Sequence, residues 1–297
     1  MPEQVDRPNA VMRGGLHALV GLAHVLGPAR YGVADSIAMA AYALDGSRRR
    51  NTQRNHRRLA PHIDEREARR RARVSFREYG RTTADFFWAS GMDDAQVRRR
   101  STVEGMEHVD AALARGSGAV VALSHYGSWD MGALAAAARE MPLTTVMADV
   151  GSRAFTDLVR WARRRNQLDV HTPQNAARAL LRALKQNRCV GLMSDIPDAG
   201  PTVDVAYCGG LVPFSTVPAW LALRTGAPLL AAECTRQPGG HFAVVIHPPV
   251  AVHEGDDERA VMQRVAAVLE RAVRERPGQW YPFGDVYAEA PSQHRNS

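Results

Sequence analysis

Gly118-Ala-Val-Val-Ala-Leu-Ser-His-Tyr-Gly-Ser-Trp-Asp130 is the stretch that decides the fold. Ala119 to Leu123 is an unbroken apolar, β-rich run, the pattern of a strand covered on both faces of an α/β sheet. His125 falls just past its C-terminal end. Gly127 and Ser128 precede Met131, Gly132, Ala133, Leu134 and a string of alanines, so a helix is predicted from Ser128, a residue suited to an N-cap. Residues five apart in an unbroken helix point about 140° away from each other. A turn followed by a first helical turn lets His125 and Asp130 meet instead. The Asp130 carboxylate would then accept a hydrogen bond from one imidazole nitrogen, fix the tautomer and leave the other nitrogen as a base.

Spacing alone does not single out this histidine, because His62 with Glu67 and His253 with Glu258 repeat the same His-x4-acid interval. His62 lies in a polar, arginine-rich stretch and His253 in an acidic loop entering a helix. Neither follows a buried strand, so both read as solvated surface.

Working outward, strands are expected at 118–124, 143–148, 168–171, 188–194, 202–207, 229–235 and 242–247. Helices are expected between them at 128–139, 155–166, 175–186, 217–225 and 259–274. This alternation predicts an α/β fold with a mainly parallel central sheet flanked by helices. Residues 11–26 and 31–44 read as two apolar helices joined at Gly27-Pro28, and 64–92 as a helix with Val74, Phe76, Phe86, Phe87 and Trp88 turned to a core. Residues 91–100 read as a connector. The expected organisation is one domain over 1–297, with a helical part at 1–100 and an α/β core at 101–297.

With 297 residues and 45% hydrophobic content the chain can bury such a core. The net charge of +7 comes from arginine, since Lys185 is the only lysine, and that skew is most simply a mark of a GC-rich genome. Guanidinium groups still suit phosphates and anionic headgroups. Met1 to Pro8 lacks the basic start and apolar core of a signal peptide, so no export is expected. Pro28, Arg30 and Asp35 interrupt the apolar run from Leu16 to Leu44 well short of the roughly 20 residues a membrane span needs. The two N-terminal helices therefore either pack on the domain or lie in the membrane interface, with Arg13, Arg30 and Arg48 to Arg50 near headgroups. Cys189, Cys208 and Cys234 are widely spaced, form no zinc or disulfide framework, and read as buried thiols in a reducing cytoplasm.

A second buried strand, Cys189-Val-Gly-Leu-Met-Ser-Asp195, ends in a carboxylate as the first ends in a histidine. If the two run parallel, their C-terminal ends share one sheet edge, where open α/β proteins bind ligands, and Asp195 reaches His125. The alternative is that Asp195 or Asp198 only turns the chain before Pro201. Arg160, Arg163, Arg164 and Arg165 recur at helical spacing, either as a solvated face or as a phosphate-holding cluster. The phosphate-cradling glycine motifs and Gly-x-Ser-x-Gly are absent, so His125 reads as a base acting directly on a substrate hydroxyl.

These residues resemble the lysophospholipid acyltransferase-like superfamily, and within it the branch of lipid A late acyltransferases and phosphatidylinositol mannoside acyltransferases. The likeness runs roughly from Arg48 to Tyr281. His125-Tyr-Gly-Ser-Trp-Asp130 resembles the family's His-x4-acid motif, with Ser128 where Asn is usual. Phe155-Thr-Asp-Leu-Val-Arg-Trp-Ala-Arg163 resembles a block bearing a functional arginine, Arg163 or its neighbour Arg164, although the glycine expected after it is Gln167. Leu192-Met-Ser-Asp195 resembles a block whose acid supports the histidine; Thr225-Gly-Ala227 and Pro277-Gly-Gln-Trp-Tyr281 resemble two more.

The resemblance implies transfer of a fatty acyl group from acyl-CoA, or acyl carrier protein, to a hydroxyl of a membrane lipid or glycolipid at the cytoplasmic face of an anionic membrane. It implies His125, Asp130 and Asp195 as catalytic residues, Arg163, Arg164 and Ser128 as substrate-binding residues, and neither cofactor nor metal. Backbone N–H groups near the Ser128 helix start are the expected oxyanion donors. Two other readings stay open: the same chemistry on a soluble natural-product hydroxyl or amine, and a non-catalytic basic protein binding anionic lipid or nucleic acid. No helix-turn-helix, RNP or zinc-finger signature supports the nucleic-acid version.

Overall fold

The computed structural model describes residues 10–149, 153–165, 168–197 and 200–288, with the side chains of residues 10–13, 154, 164, 165 and 175 outside that description. Five helices precede the first strand: α1 (Ala10–Leu26), α2 (Arg30–Leu44), α3 (Gly46–Leu59), α4 (Glu65–Ala89) and α5 (Asp94–Arg100). The α/β part then runs β1 (Ser101–Glu104), α6 (Met106–Ala114), β2 (Ala119–Leu123), α7 (Trp129–Ala137), β3 (Leu143–Val146), α8 (Arg153–Arg165), β4 (Asp169–His171), α9 (Ala176–Lys185) and β5 (Cys189–Met193). It ends with the hairpin β6 (Thr202–Tyr207) and β7 (Gly210–Ser215), α10 (Val217–Thr225), β8 (Leu229–Gln237), β9 (His241–Ile246) and α11 (Glu258–Glu275).

Among the described residues, seven strands form one sheet in the order β1-β9-β8-β2-β5-β3-β4. Every neighbouring pair is parallel except β8 with β9, whose tight connection at Pro238–Gly240 permits only an antiparallel return. The α/β expectation holds, with this one antiparallel pair and a separate β6–β7 hairpin added. Alternation along β2 explains why its run is wholly apolar. Val120 and Ala122 enter a core with α9, α10 and α11, whereas Ala119 and Val121 enter a second core with α1, α5, α6, α7 and α8.

Five elements lie outside the sequence expectations: α3, α5, α6, β1 and β7. α3 buries Thr52, Asn55 and His56 beside Leu59, so its buried face carries no apolar periodicity. The connector at 91–100 contains α5, started by a reciprocal capping box between Asp93 and Gln96. β1 is a short strand at the edge of the sheet, and β7, in the separate hairpin, carries Pro213.

The N-terminal helices share the cores of the sheet. Leu16, Phe86, Trp88 and Val97 pack in the same cluster as Val121 and Met131. A buried polar knot joins the same parts. Asp85 on α4, fully buried, accepts from Arg30 at 3.2 Å and Tyr31 at 2.8 Å, and its other oxygen pairs with Arg236 on β8. Arg236 also meets Glu78 at 3.1 Å and donates to Thr82 at 2.8 Å, while the Arg30 guanidinium stacks 3.8 Å from the Trp88 ring centroid. Removing the carboxylate strands two buried guanidinium groups. Asp85→Ala is therefore expected to lose about 3–5 kcal/mol of stability, read as a lower urea midpoint with unchanged slope. A loss within the scatter of surface substitutions would show that the knot does not hold the helices to the sheet.

Candidate active site

The parallel register of β2 on β5 pairs Leu123 with Met193, so the two strands end side by side and release His125 and Asp195 at the same sheet edge. Ser194 N–H donates to Leu123 O at 2.8 Å and continues the pairing one residue beyond the strands. Asp195 itself is buried and forms a backbone bridge with Phe214 of β7. Its Oδ1 accepts twice from His125, from the backbone N–H at 2.8 Å and from Nδ1 at 2.9 Å. A carboxylate can only accept here, so Nδ1 carries the proton and Nε2 is the basic nitrogen. The His125 side chain is 33% exposed against 0% for Asp195, the order needed for a base that meets substrate and an orienting group that does not.

The structure corrects the expected partner of this histidine. Asp130 turns instead to α8, where Arg163 grips it with Nε at 2.8 Å and Nη2 at 3.2 Å. The reason is local geometry. Tyr126 N–H closes a tight turn on Ser124 O at 2.7 Å, and α7 begins at Trp129, which sends the Asp130 side chain toward the neighbouring helix. Trp129, between them, sets its ring edge-on to His125 with centroids 5.6 Å apart. Arg163 is thus beside the site. The Arg164 side chain, Gln167 and Asp198 lie outside the described residues.

Ser128 differs from expectation in two ways. Its carbonyl accepts the first helical bond, from Gly132 N–H at 3.0 Å, but its hydroxyl makes no cap bond and is buried without a hydrogen-bond partner among the described residues. Full burial also takes the side chain out of reach of substrate. Of the N–H groups near this helix start, the expected oxyanion donors, two are committed elsewhere. Gly127 N–H is committed to Gln279 O at 2.8 Å and Ser128 N–H to Cys234 O at 2.6 Å, which leaves Trp129 and Asp130 N–H at the helix start.

Those two bonds fasten the loop to the end of β8 and to the segment after α11. Tyr281 N–H adds a bond to His125 O at 3.3 Å, and Thr82 Oγ1 one to Gly127 O at 3.4 Å. The Pro277-to-Tyr281 block was visible in the sequence without a role; it is a clamp on the histidine loop. Nothing in the sequence marked Cys234 or Thr82 as anchors, because an anchoring carbonyl or hydroxyl leaves no compositional signal. The three cysteines are free and buried. His62 is exposed, and His253 lies in the loop before α11, capped by Asp256.

A model of the family described as bacterial lipid A biosynthesis acyltransferase matches residues 12–284 of this chain. A phosphatidylinositol mannoside acyltransferase of Mycobacterium tuberculosis is 29% identical over 230 residues, 75% of this chain and 72% of the relative. A protein of the same description from Mycolicibacterium smegmatis is 26% identical over 215 residues, 70% of this chain and 69% of the relative.

Gly127 has φ +66°, and a Cβ there would lie 2.0 Å from Cys234 O. Gly127→Ala is expected to displace the loop and lower the melting temperature more than Gly116→Ala, where φ is also positive but nothing lies within 4 Å. Equal shifts in the two variants would mean that backbone strain alone, not the β8 contact, sets the cost.

Proposed function

The chain belongs to the bacterial lipid A biosynthesis acyltransferase family, and on that premise we propose that this acyltransferase moves a fatty acyl group from acyl-CoA to a hydroxyl of a membrane glycolipid of the phosphatidylinositol mannoside kind. The observation that carries the reading is the 2.9 Å contact of His125 Nδ1 with the buried Asp195, at the strand edge where α/β folds take ligands. His125 Nε2 removes the acceptor hydroxyl proton as that oxygen attacks the thioester carbonyl. The oxyanion of the tetrahedral intermediate is met by the N–H groups of Trp129 and Asp130 at the start of α7. Collapse breaks the carbon–sulfur bond, and the departing thiolate takes the proton from Nε2. Asp195 holds the ring and stabilises the imidazolium. Asp130 acts through Arg163, whose guanidinium it orients for phosphate groups of donor or acceptor.

Acyl transfer from acyl-CoA to purified phosphatidylinositol mannosides, followed by thiol release, tests this assignment. His125→Gln and Asp195→Asn are each expected to lower turnover by about 10⁴-fold, the latter by favouring the wrong tautomer. Asp130→Asn is expected to cost less and to raise KM, because it loosens Arg163 and leaves the base paired. Wild-type turnover in His125→Gln sinks the mechanism; thiol release with acyl carrier protein and none with acyl-CoA changes the donor.

The same reading places the protein on a membrane surface. Among the described residues no helix is long and apolar enough to cross a membrane. Leu19, Leu22 and Val25 of α1 and Val33, Ile37 and Leu44 of α2 are nevertheless exposed, and Arg48, Arg50, Arg57 and Arg58 of α3 are exposed close by in sequence. Apolar side chains beside guanidinium groups suit the boundary between acyl chains and anionic headgroups. Vesicle flotation is expected to show binding to anionic vesicles that weakens with salt, and Leu22→Ser with Val25→Ser and Ile37→Ser to weaken it at least tenfold, or about 1.4 kcal/mol. Unchanged flotation of the triple variant would move the contact away from α1 and α2.

A further inference from the structure

A row of aromatic rings leads away from the base. His125 stands edge-on to Trp129 at 5.6 Å between centroids, Trp129 to Tyr281 at 5.9 Å, Tyr281 to Tyr79 of α4 at 5.3 Å, and Tyr79 to Phe283 at 5.2 Å. The middle of the row is fixed. Tyr281 is buried, its hydroxyl lies 3.2 Å from Thr82 Oγ1, and its ring runs nearly parallel to that of Phe283. The chain through Phe283 is held by the polar face of α3: Asn55 Nδ2 donates to Pro282 O at 2.9 Å and to Gly284 O at 2.8 Å, and Asn51 Nδ2 to Phe283 O at 3.4 Å. Seated on this floor, Trp129 is half-buried and Tyr79 is 40% exposed. Core packing accounts for Tyr281, but not for two large rings left partly open beside the base.

Charged groups stand at both ends of the row. At the Trp129 end the next residue, Asp130, holds Arg163 through Nε and Nη2. At the Phe283 end Arg48 is exposed, one turn before Asn51 on the same face of α3. Burial raises the Tyr79 phenol, Arg48 and Arg163 oppose that rise and Asp130 adds to it, so both ends act on this one ring. An apolar strip framed by hydrogen-bonding and charged groups suits a pyranose, whose C–H bonds pack on the negative face of an aromatic ring while its hydroxyls take polar partners around the rim. An acyl chain has no use for such a frame.

We propose that the half-open rings of Trp129 and Tyr79 form a stacking platform for a sugar ring of the acceptor, placed so that one of its hydroxyls reaches His125. This rests on the acceptor being a glycolipid. The buried asparagines of α3 then serve the site, because they fix the segment on which the platform is built. The 5.6 Å contact of Trp129 with His125 sets the distance from the stacked sugar to the base.

The test is saturation-transfer NMR on the wild-type protein without acyl donor, with octyl mannoside below its micellar concentration as the probe. Irradiating the aromatic protons of the protein is expected to saturate the pyranose protons more strongly than those of the octyl chain. Tyr79→Leu and Trp129→Leu, which keep an apolar side chain and remove the ring, are each expected to weaken mannoside binding about tenfold. Tyr79→Phe is expected to retain it. In acyl transfer, Tyr79→Leu is expected to raise the KM for the glycolipid about tenfold and not that for acyl-CoA. Saturation confined to the octyl chain overturns the proposal, as does unchanged mannoside binding in both leucine variants or an equal rise in both KM values. If the leucine variants do not fold, the distribution of saturation in the wild-type protein decides. Pyranose saturation in a protein that transfers no acyl group to phosphatidylinositol mannosides would remove the proposed reaction while keeping the sugar site.

Discussion

The pairing of β2 with β5 in parallel register is the constraint from which the site follows. Parallel neighbours end on the same edge, and the match of Leu123 with Met193 makes them end at the same height. A shift of one residue would turn Asp195 to the other side of its chain and take the carboxylate from His125. The register is held by burial. Side chains of β2 and β5 enter both cores, so slippage would exchange the packing on both faces together. Two residues 70 apart in sequence thereby meet at 2.9 Å.

The loop carrying the histidine has no regular structure of its own, and its shape is supplied from outside. Cys234, Gln279 and Tyr281 take or give its backbone hydrogen bonds, and Thr82 reaches it from α4. Thr82 is also bonded to Arg236, and Arg236 to Asp85 and through it to Arg30. The chain of contacts from α2 to the histidine loop is buried along most of its length. The N-terminal helices are consequently part of the site's scaffold, and the same helices present the exposed apolar residues proposed to meet the membrane.

Much of this was legible in the sequence because it is carried by apolar pattern. The strands β2, β5 and β8 and the helices α7, α10 and α11 stand within a few residues of their expected positions, since each buries a regular apolar face. α3 was hidden for the opposite reason: beside Leu59 its inward face is Thr52, Asn55 and His56, which make hydrogen bonds instead of carrying an apolar periodicity. Of the site, His125 and Asp195 could be read from two strands that end in polar residues. Partnership could not be read, because the interval between His125 and Asp130 is the same whether the intervening turn brings them together or apart.

A His-x4-acid interval does not by itself encode a histidine–acid pair. In this fold a distant acid on the adjacent strand is hydrogen-bonded to the histidine, and the local acid holds an arginine from α8. The two arrangements have different consequences. An acid on the helix that follows the histidine shares its loop, so any movement of the loop would carry histidine and acid together. An acid on β5 ties the histidine to the sheet, and the loop can respond to substrate only within limits set by two hydrogen bonds to Oδ1. Asp130 links α7 to α8 through Arg163 beside the histidine. The histidine is thereby anchored to the rigid sheet with a guanidinium held next to it, and which cationic or basic group each carboxylate holds is set by sheet register rather than by its distance from His125 along the chain.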